Sequence, residues 1–118
     1  MMAAITYDLF IEQGAEFNQR FIWKDGTGAP VNLSGYTARM QIRPALSSDT
    51  VLLSLTTENN RITLGGSAGT IDLTIGATAT AALTRGGVYD LELVQTADDV
   101  VRFAQGAVTV SKEVTRDE

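Results

Sequence analysis

The stretch VVRFAQGAVTVS, residues 100–111, alternates apolar and polar side chains, but the alternation changes phase within it. Its apolar side chains stand first on odd and then on even positions: Val101 and Phe103, then Val108 and Val110. Successive side chains of a strand point to opposite faces, so a slip of one residue moves every later side chain to the other face. An inserted residue restores the pattern, and glycine beside it accepts the required backbone angles. We therefore predict a β-bulge at Gln105–Gly106 that bends the last strand, with two separate short strands as the alternative.

Short alternating segments recur along the chain between clusters of Gly, Asn, Asp and Ser, which is typical of an all-β sandwich or barrel. KDGTGAP, residues 24–30, favours a tight turn, and GGSAG, residues 65–69, is predicted to be a hairpin loop. The one segment with helical character is ATATAALT, residues 77–84, which we expect to bridge two sheets. The predicted inward side chains share one parity in each segment: Ile5, Tyr7, Leu9, Ile11; Phe17, Phe21, Trp23; Tyr36, Ala38, Met40, Ile42; Leu53, Leu55; Ile71, Leu73, Ile75; Tyr89, Leu91, Leu93.

The composition predicts one domain over residues 1–118, with a polar tail from about residue 112. A net charge of −5, with nine basic residues spread singly, argues against binding to nucleic acid, which needs clustered Lys and Arg. No run of ~18 apolar residues is present, so we expect no membrane span. The start of the chain lacks the basic region and cleavage site of a signal peptide.

The chain contains no histidine and no cysteine. The commonest general base, the thiolate nucleophile and the commonest metal ligands are therefore missing. Asp98–Asp99 could contribute to a calcium site, but such a site needs six or more oxygen ligands, and a solvated turn explains the pair better. We predict no catalytic residue, no metal site and no cofactor, and an enzyme is the least expected class of function.

Asp90 and Glu92 resemble the carboxylate pair of glycosidases, but both stand on the predicted outward face of a strand. If that strand lies between the third and the last, their neighbours are Arg39, Arg43 and Arg102. Cross-strand ion pairs then explain all five charges without any chemistry. We predict that these side chains share one solvent-facing sheet surface.

The aromatic residues offer one candidate contact and two structural anchors. Phe10 has the opposite parity to its apolar neighbours, which predicts an exposed side chain and a protein contact; an edge covered by a loop is the alternative. Trp23 and the three tyrosines could form a carbohydrate platform, but at strand spacing they are expected in the core. TRGGVYDLEL, residues 84–93, resembles the tyrosine corner of immunoglobulin-like sandwiches, in which Tyr89 would bond to backbone before Gly86.

Two segments, residues 10–44 and 86–116, together resemble a family of small virion proteins of tailed bacteriophages. They are also similar to the immunoglobulin-like N-terminal domain of phage baseplate upper proteins. The residues that carry the resemblance determine the fold: Glu12-Gln13-Gly14, Asp25–Gly26, Leu33-Ser34-Gly35-Tyr36-Thr37-Ala38, Tyr89-Asp90-Leu91, and Gln105–Gly106 with Val108 and Val110. The resemblance implies an immunoglobulin-like β-sandwich of about seven to eight antiparallel strands with one short helix near residues 77–84.

The resemblance also implies a role in the virion, without catalysis. We expect an accessory docking module of the tail tip, baseplate or fibre-attachment region, assembled in the bacterial host cytoplasm and present in several copies. Because larger baseplate proteins carry more chain after such a domain, docking onto bigger virion proteins fits better than direct receptor contact. Candidate interface residues are Phe10, Gln105 and Gly106, the last as an edge open to another chain.

Two other functions compete with this one. A capsid decoration or neck protein would also be structural, and neighbouring head or tail genes would distinguish it. A module that binds host glycans belongs to a different class, and a shallow groove lined by aromatic side chains would favour it.

Overall fold

Alternating apolar residues form nine strands in residues 4–115, the part of the chain that the computed structural model describes. The strands are β1 Ile5–Thr6, β2 Leu9–Glu12, β3 Phe17–Ile22, β4 Thr37–Arg43, β5 Leu53–Thr56, β6 Ile62–Leu64, β7 Thr70–Ile75, β8 Gly87–Thr96 and β9 Asp99–Ser111. One α-helix, α1 Ala77–Ala81, and a 3-10 turn at Gly66–Ala68 complete the described elements. None of these helices has the length and hydropathy that a transmembrane span requires.

The strands form two sheets that pack on one core. The large sheet has the order β9-β8-β4-β5, with both β1 and β2 paired to the outer side of β9. The small sheet has the order β3-β7-β6. The strand that carries Asp90 and Glu92 therefore lies between the third predicted strand and the last one, as predicted.

The core is built from the side chains of one parity on each strand. Ile71, Leu73 and Ile75 of β7 are fully buried, and so are Leu91 and Leu93 of β8. Burying one such aliphatic side chain contributes about 1.5–3 kcal/mol, so the alternation decides which face of each sheet turns inward.

Five aromatic rings run in a continuous row beside this aliphatic core. Tyr7 meets Phe21 edge to face at 5.4 Å between ring centres, and Phe21 meets Phe103 at 5.8 Å. Trp23 lies 6.0 Å from Phe103 and 6.3 Å from Tyr36. Trp23 is half-buried, and its backbone bonds to Gly69 and Val31 just beyond the end of β3. The predicted structural placement of Trp23 agrees with these contacts.

Helix α1 connects β7 of the small sheet to β8 of the large one, as predicted, but it is shorter than residues 77–84. After Ala81 the chain tightens into bonds of the 3-10 type, from Ala82 N–H to Ala79 O and from Leu83 N–H to Thr80 O. Two threonines in five residues give weak helix propensity, so this turn depends on tertiary contacts, among them the burial of Thr80 and Leu83.

The last strand contains the predicted bulge, but at Phe103. Leu91 and Glu92 are consecutive in β8, yet they pair with Ala104 and Arg102 of β9, which leaves Phe103 as the inserted residue. Phe103 is 3% exposed and Ala104 fully buried, so two successive side chains point into the core.

The predicted position, Gln105–Gly106, was therefore wrong. The phase change had to fall between Phe103 and Val108, and Ala104 is small enough to suit either face, so the apolar pattern alone did not locate it. Gly106 lies in regular register opposite Tyr89. A Cβ on Gly106 would stand 2.5 Å from the carbonyl oxygen of Tyr7, so glycine is needed there for the close approach of the first strand.

The first strand differs from the predicted one in two ways. It is split into β1 and β2, and both pair with β9 in parallel rather than antiparallel. Leu9 and Ile11 are buried as predicted, whereas Ile5 and Tyr7 are each 41% exposed. Because β9 is flanked by β8 on one side and by β1 and β2 on the other, the expected open edge at Gly106 does not exist.

Candidate protein-binding surface

The outer face of the large sheet gathers the charged residues that the sequence placed there. Arg39 Nε lies 2.7 Å from Glu92 Oε1, and Arg102 Nε lies 3.6 Å from Asp90 Oδ2. The Arg43 guanidinium bonds instead to Gln41 Oε1 at 2.7 Å and to the carbonyl oxygen of Ser48 at 2.6 Å. The prediction that these five charges share one outward surface is confirmed.

A groove of about 830 Å³ crosses strands β4, β5, β8 and β9. We call it the outer-sheet groove; its lining includes Thr6, Arg39, Gln41, Arg43, Leu46, Ser54, Thr56, Val88, Asp90, Glu92, Arg102, Gln105 and Gly106. Leu46, in the loop after β4, is 90% exposed beside it. A single exposed leucine is ordinary on a protein surface, so a docking role depends on the groove and its charged side chains rather than on Leu46.

The ion pairs of the groove contribute little to folding. The side chains of Arg39 and Arg102 are more than half exposed, so each pair is worth about 0–1 kcal/mol and is screened by salt. Three arginines and two carboxylates leave one positive charge in excess. The arginines of the groove can therefore exchange these ion-pair partners for carboxylates of another protein at small cost to the free energy of unfolding.

The groove has no evident catalytic chemistry. Its polar lining consists of hydroxyl, amide, guanidinium and carboxylate groups, and the carboxylates are taken up in ion pairs. Across residues 4–115, no three potential metal-ligating side chains of His, Cys, Asp or Glu come together. Tyr89 is the one aromatic residue in the groove lining and is 4% exposed, so the groove offers no platform on which a sugar could stack.

The predicted interface residues fall in two different places. Gln105 and Gly106 line the outer-sheet groove. Phe10 is 62% exposed, as its parity predicts, but it lies on β2 beside a separate depression near β3. The structure therefore does not bring the three residues into one site.

Tyr89 is buried and its hydroxyl donates to a backbone carbonyl oxygen before Gly86, as predicted. The acceptor is Tyr7, at 2.5 Å, which lies in the first strand and not within the few residues upstream that a tyrosine corner uses. The tyrosine thus joins the central strand β8 to the first strand. The side chain of Asp8 supports the same junction, because its Oδ1 accepts the Ala107 N–H at 3.0 Å.

Two polar residues that hold the turn between β2 and β3 were not predicted from the sequence. Gln13 Nε2 donates to the carbonyl oxygen of Leu83 at 2.8 Å, and its Oε1 accepts the Glu113 N–H at 3.1 Å. The hydroxyl of Thr80, fully buried, accepts the Gly14 N–H at 3.0 Å and donates to the carbonyl oxygen of Ala15 at 2.8 Å. Gln13 and Gly14 are among the residues that carry the family resemblance, and that resemblance is the one feature of the sequence that points to this turn.

No family model matches the chain, and no curated protein matches it. Among solved structures, it is similar to the extracellular domain of the voltage-gated sodium channel beta4 subunit, at 11% identity and a TM-score of 0.50, covering 97% of this chain and 98% of that one. A structure of Tim-1 is 16% identical, with a TM-score of 0.48 and coverage of 99% and 100%.

The likeness to the beta4 subunit concerns the fold alone. Strands β9, β8, β4 and β5 take the places of immunoglobulin strands G, F, C and C′, and β3, β7 and β6 take those of B, E and D. Buried Leu91 stands two residues after Tyr89, where antibody domains carry the second cysteine of their disulfide. The chain has the immunoglobulin-like β-sandwich fold predicted from its sequence.

Proposed function

We propose that this protein is a non-catalytic docking module of a tailed bacteriophage particle, in its tail tip, baseplate or fibre-attachment region. In this proposal the outer-sheet groove is the surface that larger virion proteins cover. The observation that carries the docking role is the groove itself, which has a volume of about 830 Å³ on the outer face of the large sheet and holds two exposed ion pairs. The resemblance of residues 10–44 and 86–116 to small virion proteins supports the other part of the proposal, that the chain belongs to a phage particle.

The groove fits a protein surface better than a glycan. Sugar-binding grooves present aromatic faces, whereas the one aromatic side chain that lines this groove, Tyr89, is almost completely buried. The arginines of the groove can exchange their exposed partners for carboxylates of a neighbour, which favours selective docking more than raw affinity.

The proposal is tested on purified particles of the phage or prophage that encodes the chain. Mass spectrometry should find the chain in intact particles and in separated tails, and a reconstruction should show the outer-sheet groove covered by a neighbour. Its absence from the particles would overturn the proposal. If the chain is found only in separated heads, the protein belongs to the capsid or neck and not to the tail.

A matched pair of variants tests the surface. Arg39→Glu reverses a charge on the outer face of the large sheet, and Arg20→Glu reverses one on the outer face of the small sheet, where Arg20 pairs with Asp72 at 2.7 Å. Supplied to a mutant phage that lacks the gene, Arg39→Glu should fail to enter particles and Arg20→Glu should enter normally. Equal incorporation of both variants would exclude the outer-sheet groove as the docking surface.

A further inference from the structure

A second depression of about 310 Å³ lies between the first strand and β3, separate from the outer-sheet groove. We call it the edge slot; it is lined by Tyr7, Asp8, Leu9, Phe10, Glu12, Ala15, Glu16, Phe17, Asn18 and Gln19. Within the described part of the chain, β2 pairs only with β9 and β3 only with β7. Both strands that border the slot are therefore sheet edges with unpaired backbone groups.

The backbone of Phe10 faces away from the sheet. Gln13 donates its N–H to the carbonyl oxygen of Ser111, the last residue of β9. Because donors alternate along a strand, Leu9 and Ile11 also direct theirs to β9. The backbone N–H and carbonyl groups of Phe10 and Glu12 therefore point away from β9. The carbonyl oxygen of Glu12 already accepts the Ala15 N–H at 3.2 Å. Phe10 is thus the residue of β2 that offers both a donor and an acceptor to another strand.

The edge slot is acidic. Three carboxylates line it, from Asp8, Glu12 and Glu16, and its lining contains no lysine or arginine. The nearest cation along β3, Arg20, is held by two hydrogen bonds to Asp72, at 2.7 and 2.9 Å. This edge therefore presents the apolar ring of Phe10, which is 62% exposed, between carboxylates.

We propose that the free edge of β2 binds an extended segment of another protein, which adds an antiparallel strand with the pattern basic, any, apolar, any, basic. The apolar residue would form a hydrogen-bonded pair with Phe10 and pack on its ring. Residues two positions to either side lie on the same face of the added strand, opposite Asp8 and Glu12, which selects Lys or Arg there. The selection is stronger at Glu12, because Asp8 Oδ1 already accepts the Ala107 N–H of β9. This addition of a strand is a known mode of peptide recognition.

A second copy of this chain does not fit the edge. Two β2 strands paired about a two-fold axis at Phe10 would place Asp8 of each copy opposite Glu12 of the other. Like charges directly opposite one another destabilise a strand pair. The charge pattern therefore selects a basic segment of a different protein.

The experiment is a titration of the isotope-labelled protein, followed by NMR, with the capped peptide Thr-Lys-Thr-Val-Thr-Lys-Thr. The matched control is the same peptide with Glu in place of both Lys. We expect the lysine peptide to shift the Phe10 amide, to slow its hydrogen exchange, and to bind roughly three- to ten-fold more tightly than the glutamate peptide. Glu12→Lys should abolish or reverse this preference, and Glu58→Lys, an exposed carboxylate far from β2 in sequence, should leave it unchanged.

Three results would overturn the proposal: no perturbation at Phe10, perturbation confined to the outer-sheet groove, or equal affinity for the two peptides. Protection of the Phe10 amide that rises with protein concentration alone would assign the edge to a second copy and also overturn it. The outcome is independent of the proposed function, because the Arg39→Glu variant tests a different surface and uses particle incorporation as its measurement.

Discussion

The hydroxyl of Tyr89 donates to the backbone carbonyl oxygen of Tyr7, and this bond ties the first strand directly to β8, in addition to the pairing of β1 and β2 with β9. Burial raises the pKa of Tyr89 above its ordinary value of 10.0, with smaller contributions from Asp8 and Tyr7, so the phenol remains a hydrogen-bond donor into alkaline pH as well as at neutral pH. The two residues are 82 positions apart, so the bond exists only in the folded chain.

Tyr89→Phe should lower the free energy of unfolding by about 1–3 kcal/mol, because it removes the donor and leaves the Tyr7 carbonyl without its partner. The urea midpoint at neutral pH measures this loss. Tyr7→Phe is the matched control, since its own hydroxyl makes only a long, exposed contact to Gln19 at 3.4 Å. Equal midpoints for Tyr89→Phe and the wild type would show that the bond does not fasten the strand.

Gly106→Ala should destabilise the same junction by about 1–3 kcal/mol through overpacking. The new Cβ would stand 2.5 Å from the Tyr7 carbonyl oxygen and 2.9 Å from Asp8 Oδ1, and that carbonyl is backbone that cannot turn aside. Gly26→Ala, where nothing lies within 4 Å, is the control. Thermal unfolding of both variants makes the comparison, and similar melting temperatures would contradict the close approach at Gly106.

Thr80→Val keeps the shape of a fully buried side chain and removes its hydroxyl. The Gly14 N–H and the Ala15 carbonyl oxygen then lose their partner, which should cost about 1–3 kcal/mol. Thr78→Val, an exposed position on the same helix, should have little effect. Chemical denaturation gives both values, and a Thr80→Val protein as stable as Thr78→Val would rule out this role of the hydroxyl.

Acid should destabilise the protein partly through Asp72. Hydrogen bonds from Arg20, more than its charge, hold the pKa of the Asp72 carboxyl below its ordinary value of 3.8. Because the folded-state pKa is the lower one, this stabilisation is complete above the ordinary value and is lost as the pH falls through the folded-state pKa. Asp72→Asn should therefore melt at a lower temperature than wild type at pH about 7 and show a shallower fall below pH about 4.

Melting curves between neutral and acid pH test this, with Arg20→Gln as the partner variant. Removing Arg20 removes the cause of the low pKa, so Arg20→Gln should show the same shallower fall. If both variants lose stability with pH as steeply as wild type, another group is responsible for the acid sensitivity.

Much of the fold followed from the sequence because alternation is a local property. The parity of Ile71, Leu73 and Ile75 marked the inner face of their strand without any knowledge of its neighbours. The parity of Asp90 and Glu92, with that of the arginines, likewise predicted the charged outer surface. A strand exposes alternate side chains whatever it pairs with, so these assignments survive folding.

Only the tertiary structure decided how the ends of the chain meet. The bulge falls at Phe103 because Ala104 is small enough to turn inward, and Gly106 is glycine because the Tyr7 carbonyl comes within van der Waals reach. The parallel pairing of β2 with β9, the bond from Tyr89 to Tyr7, and the bridge from Gln13 to Leu83 and Glu113 join residues remote in sequence. A local pattern carries no information about such contacts, since each depends on where the two sheets place distant backbone.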